Sequence, residues 1–156
     1  MISPLFKKLN YKAQEVVCIL NAPHEFEPEL RAIEGQVKVV YQLDASCPLT
    51  FFLAFVQSPE EVEALATTVA QQLEGDGIVW FAYPKKSSKK YKASINRDAG
   101  WESLGNEGFE PVRAVAIDQD WSVMRFRKVD YIKTMTRNPH MILSKAGKAK
   151  SQSGKK

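Results

Sequence analysis

The sequence predicts an α/β fold: three layers around a mostly parallel sheet of about six strands that ends in an antiparallel hairpin. Three observations predict it. Residues 49–92 read as an apolar strand, a capped amphipathic helix, a second apolar strand and a lysine-rich loop, which is one complete βαβ unit. Short continuous apolar runs earlier in the chain, such as Val16–Leu20, mark strands buried on both faces. Two late strands are joined only through Asp118-Gln119-Asp120-Trp121, a connection so short that it forces a hairpin.

In chain order, Ser3 and Pro4 open a short helix, as N-cap and first helical residue, with Leu5, Phe6 and Leu9 on its apolar side. Val16–Leu20 is the first strand. After the turn Asn21-Ala22-Pro23, the spacing of Phe26, Leu30 and Ile33 predicts a short helix that Gly35 ends. Val37–Gln42 is the second strand and Phe51–Val56 the third. Ser58, Pro59 and Glu61 then form a capping box. Val62, Leu65, Ala66, Val69 and Leu73 make one stripe facing the sheet. Gly75-Asp76-Gly77 stops that helix, and Ile78–Tyr83 is the fourth strand. Asn96–Leu104 is expected to be a helix burying Trp101 and Leu104. Val112–Ile117 and Val123–Val129 are the hairpin, the second of them an outer, half-exposed strand because Arg125 and Arg127 alternate with Met124 and Phe126.

The chain has 156 residues, which suits one domain over residues 1–132 followed by a basic tail over 133–156, expected to be disordered. The formal charge of +4 is a property of that tail. Residues 131–156 hold seven Lys/Arg and no acid, leaving 15 basic against 18 acidic side chains, a net of −3, on residues 1–130. A nucleic-acid-binding body should carry its positive charge on the fold itself. No run approaches the roughly 18 to 20 apolar residues that span a bilayer, and the first residues lack a signal-peptide core. Cys18 and Cys47 therefore read as reduced thiols of a cytoplasmic protein.

Several motifs resemble a small uncharacterised bacterial family. They are the opening Pro4-Leu5-Phe6-Lys7-Lys8-Leu9, the strand ending in Pro84-Lys85-Lys86, and the hairpin residues Asp118, Trp121, Ser122 and Arg125. The order of elements resembles the second half of a class I methyltransferase, a Rossmann-like domain. That resemblance implies a ligand site at the carboxyl edge of the sheet, with Asn21, Asp44 and Gln57 around it. It also brings a departure: the family's first strand leads into a glycine-rich turn, whereas here the text is Leu20-Asn21-Ala22-Pro23-His24, and proline removes an N–H donor. One joint is awkward too. In the methyltransferase order the second and third strands flank the first, yet only Leu43–Thr50 joins them, reaching at most about 26 to 29 Å. Either the linker runs stretched across the sheet or these two strands are antiparallel. A stretched linker implies a missing helix and a surface for a second copy of the chain.

On these grounds the sequence points to a non-catalytic, methyltransferase-like binding or regulatory module, homodimeric, without S-adenosylmethionine or any other cofactor. Two alternatives stay open: an S-adenosylmethionine-dependent methyltransferase, and a nucleic-acid accessory protein. The last would use the lysines of Lys85–Lys92, with Lys85 and Lys86 first, and the tail for weak contacts with phosphates. No metal is expected, because His24 and His140 are far apart and no HxH, HExxH or CxxC spacing occurs. No catalytic residue is assigned. Trp121 and Arg125 form a candidate cation–π pair across the hairpin.

Overall fold

The computed structural model describes residues 3–12, 14–43, 48–96 and 99–132. Six strands form one sheet: β1 (Val16–Leu20), β2 (Lys38–Val40), β3 (Leu49–Phe55), β4 (Leu73–Pro84), β5 (Phe109–Ala116) and β6 (Trp121–Lys128). Their order is β2-β1-β3-β4-β6-β5. β1 pairs in parallel with both β2 and β3, and β3 with β4. β6 runs antiparallel to β4 on one side and to β5 on the other. The chain has the expected three-layer, Rossmann-like α/β architecture, a mostly parallel six-stranded sheet that ends in an antiparallel hairpin.

Each face of the sheet owns a core. Cys18, Phe52, Val79, Phe81 and Phe126 point to the side covered by α3 (Pro59–Gln72) and α4 (Glu102–Asn106). Val17, Phe51, Leu53, Trp80 and Val123 point to the side covered by α1 (Pro4–Lys8) and α2 (Glu27–Glu34). The capping box of α3 is complete: Glu61 N–H donates to Ser58 Oγ at 3.2 Å, and Ser58 N–H donates back to Glu61 Oε2 at 3.1 Å. Its stripe buries Val62, Ala66 and Val69, as the spacing requires. On the other face, the indole N–H of Trp80 donates to the carbonyl of Leu9 at 2.8 Å and ties the end of α1 to the middle of β4.

The awkward joint resolves against the antiparallel alternative, because β2 and β3 both lie parallel to β1. Leu43 packs against the α3-side core. A cavity of about 380 Å³ opens over the amino half of β1, between Lys38, Val40, Gln42, Pro48 and Thr50.

Four expectations change. Helix α4 is only Glu102–Asn106, since Asn96 instead bridges to Ala99 and Gly100 takes φ +106°, a conformation no helix contains. β4 starts at Leu73, directly after α3, so Gly75-Asp76-Gly77 is an irregular strand entry. β6 is interior and β5 is the outer strand. The alternation in β6 reflects two unlike faces: Met124 and Phe126 pack towards α3 and α4, while Arg125 and Arg127 line the other side. Finally, the cation–π contacts among the described residues are Lys90 over Tyr91 and Lys128 over Phe109; none joins Arg125 to Trp121. No helix of the described residues is long and apolar enough to cross a membrane. The predicted tail, residues 133–156, lies outside the described residues, as do Asp44 and Cys47.

Candidate functional site at the carboxyl edge of the sheet

The strand order reverses at β1, whose neighbours β2 and β3 are reached by connections leading in opposite directions. Open parallel sheets bind ligands at the carboxyl end of such a point. The first residue past β1 is Asn21, with φ +59°. Left-handed backbone costs asparagine less than any other side-chain-bearing residue, because its short amide can bond locally. Asn21 therefore makes a left-handed turn at the tip of β1 without a glycine. Pro23 follows in extended conformation and caps the 3₁₀ turn His24–Phe26, whose Phe26 N–H donates to the Pro23 carbonyl at 2.9 Å.

Gln57 stands at the end of β3. Its carbonyl accepts from Ser94 N–H at 3.0 Å, and its own N–H donates to the Glu61 carboxylate. The same carboxylate holds Ser58 N–H, so Glu61 satisfies the two backbone donors that lead into α3. Gln57 itself is exposed.

The segment 85–95 then behaves as a strap across this edge. Lys85 N–H donates to the Asp120 carbonyl at 2.8 Å, and Ser88 Oγ donates to Asp120 Oδ1 at 2.8 Å, anchoring the strap to the β5–β6 turn. Tyr91 packs at a tilt against Trp121, with ring centroids 4.9 Å apart, and Trp121 in turn meets Phe55 edge to face at 5.1 Å. At the far end the Tyr91 hydroxyl donates to Glu25 Oε2 at 2.6 Å, and Lys90 Nζ pairs with Glu25 Oε1. Those hydrogen bonds, Lys90 first and Tyr91 second, pull the Glu25 carboxyl down to about 2. The same contact raises Lys90 and Tyr91 above their ordinary values. Ile95 enters the α3-side core and ends the strap.

The residues singled out by motif divide clearly. Pro84, Lys85, Asp118 and Trp121 come together at one corner: Pro84 pairs with Trp121 in the β4–β6 ladder, and Asp118 Oδ1 accepts from the N–H groups of Asp120 and Trp121, both at 2.8 Å. Ser122 donates to the Val115 carbonyl at 3.3 Å. These residues build the hairpin and its anchor to the strap. Arg125 lies farther down β6, opposite Trp80. Asn21 and Gln57 sit at the ends of β1 and β3, while Asp44 is outside the described residues. Lys86, Lys89 and Lys92 are exposed on the strap, and Lys85 is half-buried. Glu25 and Tyr91 were not singled out by sequence; Glu25 precedes Tyr91 by 66 residues, and only a tyrosine amid a lysine run hinted at an anchor. Among the described residues no cluster of His, Cys, Asp or Glu is placed to hold a metal.

No family model matches the chain, and no curated protein sequence does either. The bacterial-family resemblance therefore rests on its motif residues alone. Solved structures do match. The glycopeptide N-methyltransferase MtfA is similar at 8% identity and TM-score 0.49, covering 80% of this chain and 93% of that one. The N-methyltransferase NodS from Bradyrhizobium japonicum WM9, in complex with S-adenosyl-l-homocysteine, is similar at 11% identity and TM-score 0.45, covering 71% and 65%. The Methanococcus jannaschii fibrillarin pre-rRNA processing protein is similar at 18% identity and TM-score 0.45; the match covers 72% of this chain, which spans just over half, 56%, of that protein.

These findings correct two expectations. A non-catalytic module and the absence of any cofactor were inferred from the missing glycine turn, whereas structures similar to this chain include N-methyltransferases, one of them holding S-adenosyl-l-homocysteine. The physical reason for the error is Asn21: a left-handed residue follows β1 although no glycine does.

Proposed function

We propose that the chain is an S-adenosylmethionine-dependent methyltransferase domain whose donor site is the carboxyl edge of β1 and β3. The observation that supports this best is the reversal of strand order at β1 with Asn21 in left-handed conformation at its tip. Asn21 and the Gln57 side-chain amide would bind the donor. Asp44, just past β2 in sequence, would accept from its ribose hydroxyls. The donor, when bound, supplies an activated methyl group. Pro23 offers no N–H here, so side-chain amides carry more of the recognition than in a glycine turn.

The exposed lysines of the strap support an anionic acceptor. Lys86, Lys89 and Lys92 follow the same edge beside the half-buried Lys85, and point charges on flexible stems suit phosphate without fixing its geometry. The cavity beside the linker supports self-association as a secondary property, to be read from mass in solution.

Calorimetric titration of the full chain with S-adenosylmethionine and with S-adenosyl-l-homocysteine tests the donor site. Binding of both, weakened by Asn21→Ala and by Asp44→Asn, is expected. No heat and no thermal shift at saturating ligand would overturn the reading.

A further inference from the structure

At the opposite end of the sheet from the linker, Arg113 of β5 lies directly across the ladder from Arg125 of β6. Partners in register place their side chains on one face, and like charges so placed destabilise a sheet. Arg127, two residues on along the same face, is matched: its Nε and Nη2 grip Asp76 at 2.9 and 2.5 Å. Glu110, fully buried, is the residue across from Arg127. Arg125 has no such counterpart. Among the described residues no ion pair reaches Arg113 or Arg125, and the Arg125 Nε is buried without a hydrogen-bond partner.

We propose that Arg113 and Arg125 together form an oxyanion site that takes a phosphate group, bridging the two guanidinium forks across the β5–β6 ladder. Guanidinium is the side chain suited to this, since its planar donors match phosphate oxygens in pairs. The floor of the site is apolar: Trp80, opposite Arg125 on β4, is fully buried, and Val123 and Val115 flank the pair on the same face. A charge-assisted bond above such a floor is weakened less by water than one on open surface. Burial first, and then the neighbouring Arg127 and Arg113 charges, already press the Arg125 guanidinium below its ordinary value, a pressure that a bound anion would relieve. The site stands apart from the lysine strap and does not depend on the methyl-transfer reading.

The test compares thermal midpoints of the full chain in chloride and in inorganic phosphate at equal ionic strength, for the wild type, Arg125→Met and the pair Arg113→Gln/Arg125→Met. Phosphate is expected to raise the wild-type midpoint and to leave both variants unmoved. In chloride Arg125→Met should match or exceed the wild type, because it replaces an unpaired guanidinium with an apolar chain of similar length; this shows that the variant folds. A short single-stranded RNA separates the sources. If a polyanion is the carrier, RNA binding weakens in the double variant and its salt dependence falls by about one unit of log-log slope per arginine lost. If free phosphate is, RNA binding is unchanged while the midpoint effect remains. An equal response of wild type and variants to both anions, or none from any of them, would overturn the site and leave the arginines as guards of an outer strand.

Discussion

The Tyr91 hydroxyl hydrogen-bonds the Glu25 carboxylate at 2.6 Å, joining the segment after β4 to the segment after β1 across the sheet edge. Together with Lys90 on the same carboxylate, this makes the strap conditional on charge. The Glu25 carboxyl is held at about 2, below its ordinary 4.5, so the clasp contributes fully above the ordinary value and is lost as pH falls through that window. At the alkaline end the raised value of Lys90 means its share is lost only as pH climbs past the ordinary lysine range. Backbone hydrogen exchange of residues 85–95 is expected to quicken, relative to the sheet, between about pH 4.5 and 2. Glu25→Gln should bring that faster exchange to neutral pH. Unchanged protection in the variant would remove the clasp from the account.

Ser58 offers a cleaner energetic test. Ser58→Ala removes the hydroxyl that accepts from Glu61 N–H and breaks the reciprocal box. A loss of about 1 kcal/mol, within the usual range for such caps, is expected in urea denaturation with an unchanged slope.

Trp80→Phe should cost more. The substitution strands the carbonyl of Leu9, which is fully buried as a residue, and leaves space where the larger ring had packed. An unsatisfied buried carbonyl alone costs about 1 to 3 kcal/mol. The end of α1 should also exchange faster, since this bond holds it to β4.

Gly100→Ala is expected to destabilise strongly despite its small size. The residue has φ +106°, and an added methyl would fall onto the side chain of Ile95, with Ile95 Cβ only 2.8 Å away. Gly75→Ala serves as the control: it also has positive φ, +56°, but an added Cβ meets nothing within 4 Å. A larger drop in thermal midpoint for Gly100→Ala than for Gly75→Ala separates contact from backbone strain.

The fold was legible where local chemistry and tertiary role agree. Ser58-Pro59-Glu61 followed by an apolar stripe can be little else than a capped helix on a sheet, and that helix occurs. Arg125 and Arg127 misled because exposure was read from side-chain type, while position in the sheet depends on pairing far along the chain. The helix expected at Asn96–Leu104 failed at Gly100, whose backbone has positive φ and lies close against the core residue Ile95. At the site, Asn21 was visible as a residue, but its φ was not. The Glu25 clasp lies beyond any spacing rule, because nothing local connects residue 25 to residues 90 and 91.

The three-residue ladder of β2 has a consequence for the order in which the sheet assembles. Among the described residues its ladder consists of the pairs Val16–Lys38, Val17–Val39 and Cys18–Val40. β3 is paired on both sides, to β1 and to β4, whereas β2 has β1 as its one strand neighbour. β2 should therefore be the last strand to join and the first to leave, a detachable edge whose amides exchange at free energies well below that of global unfolding.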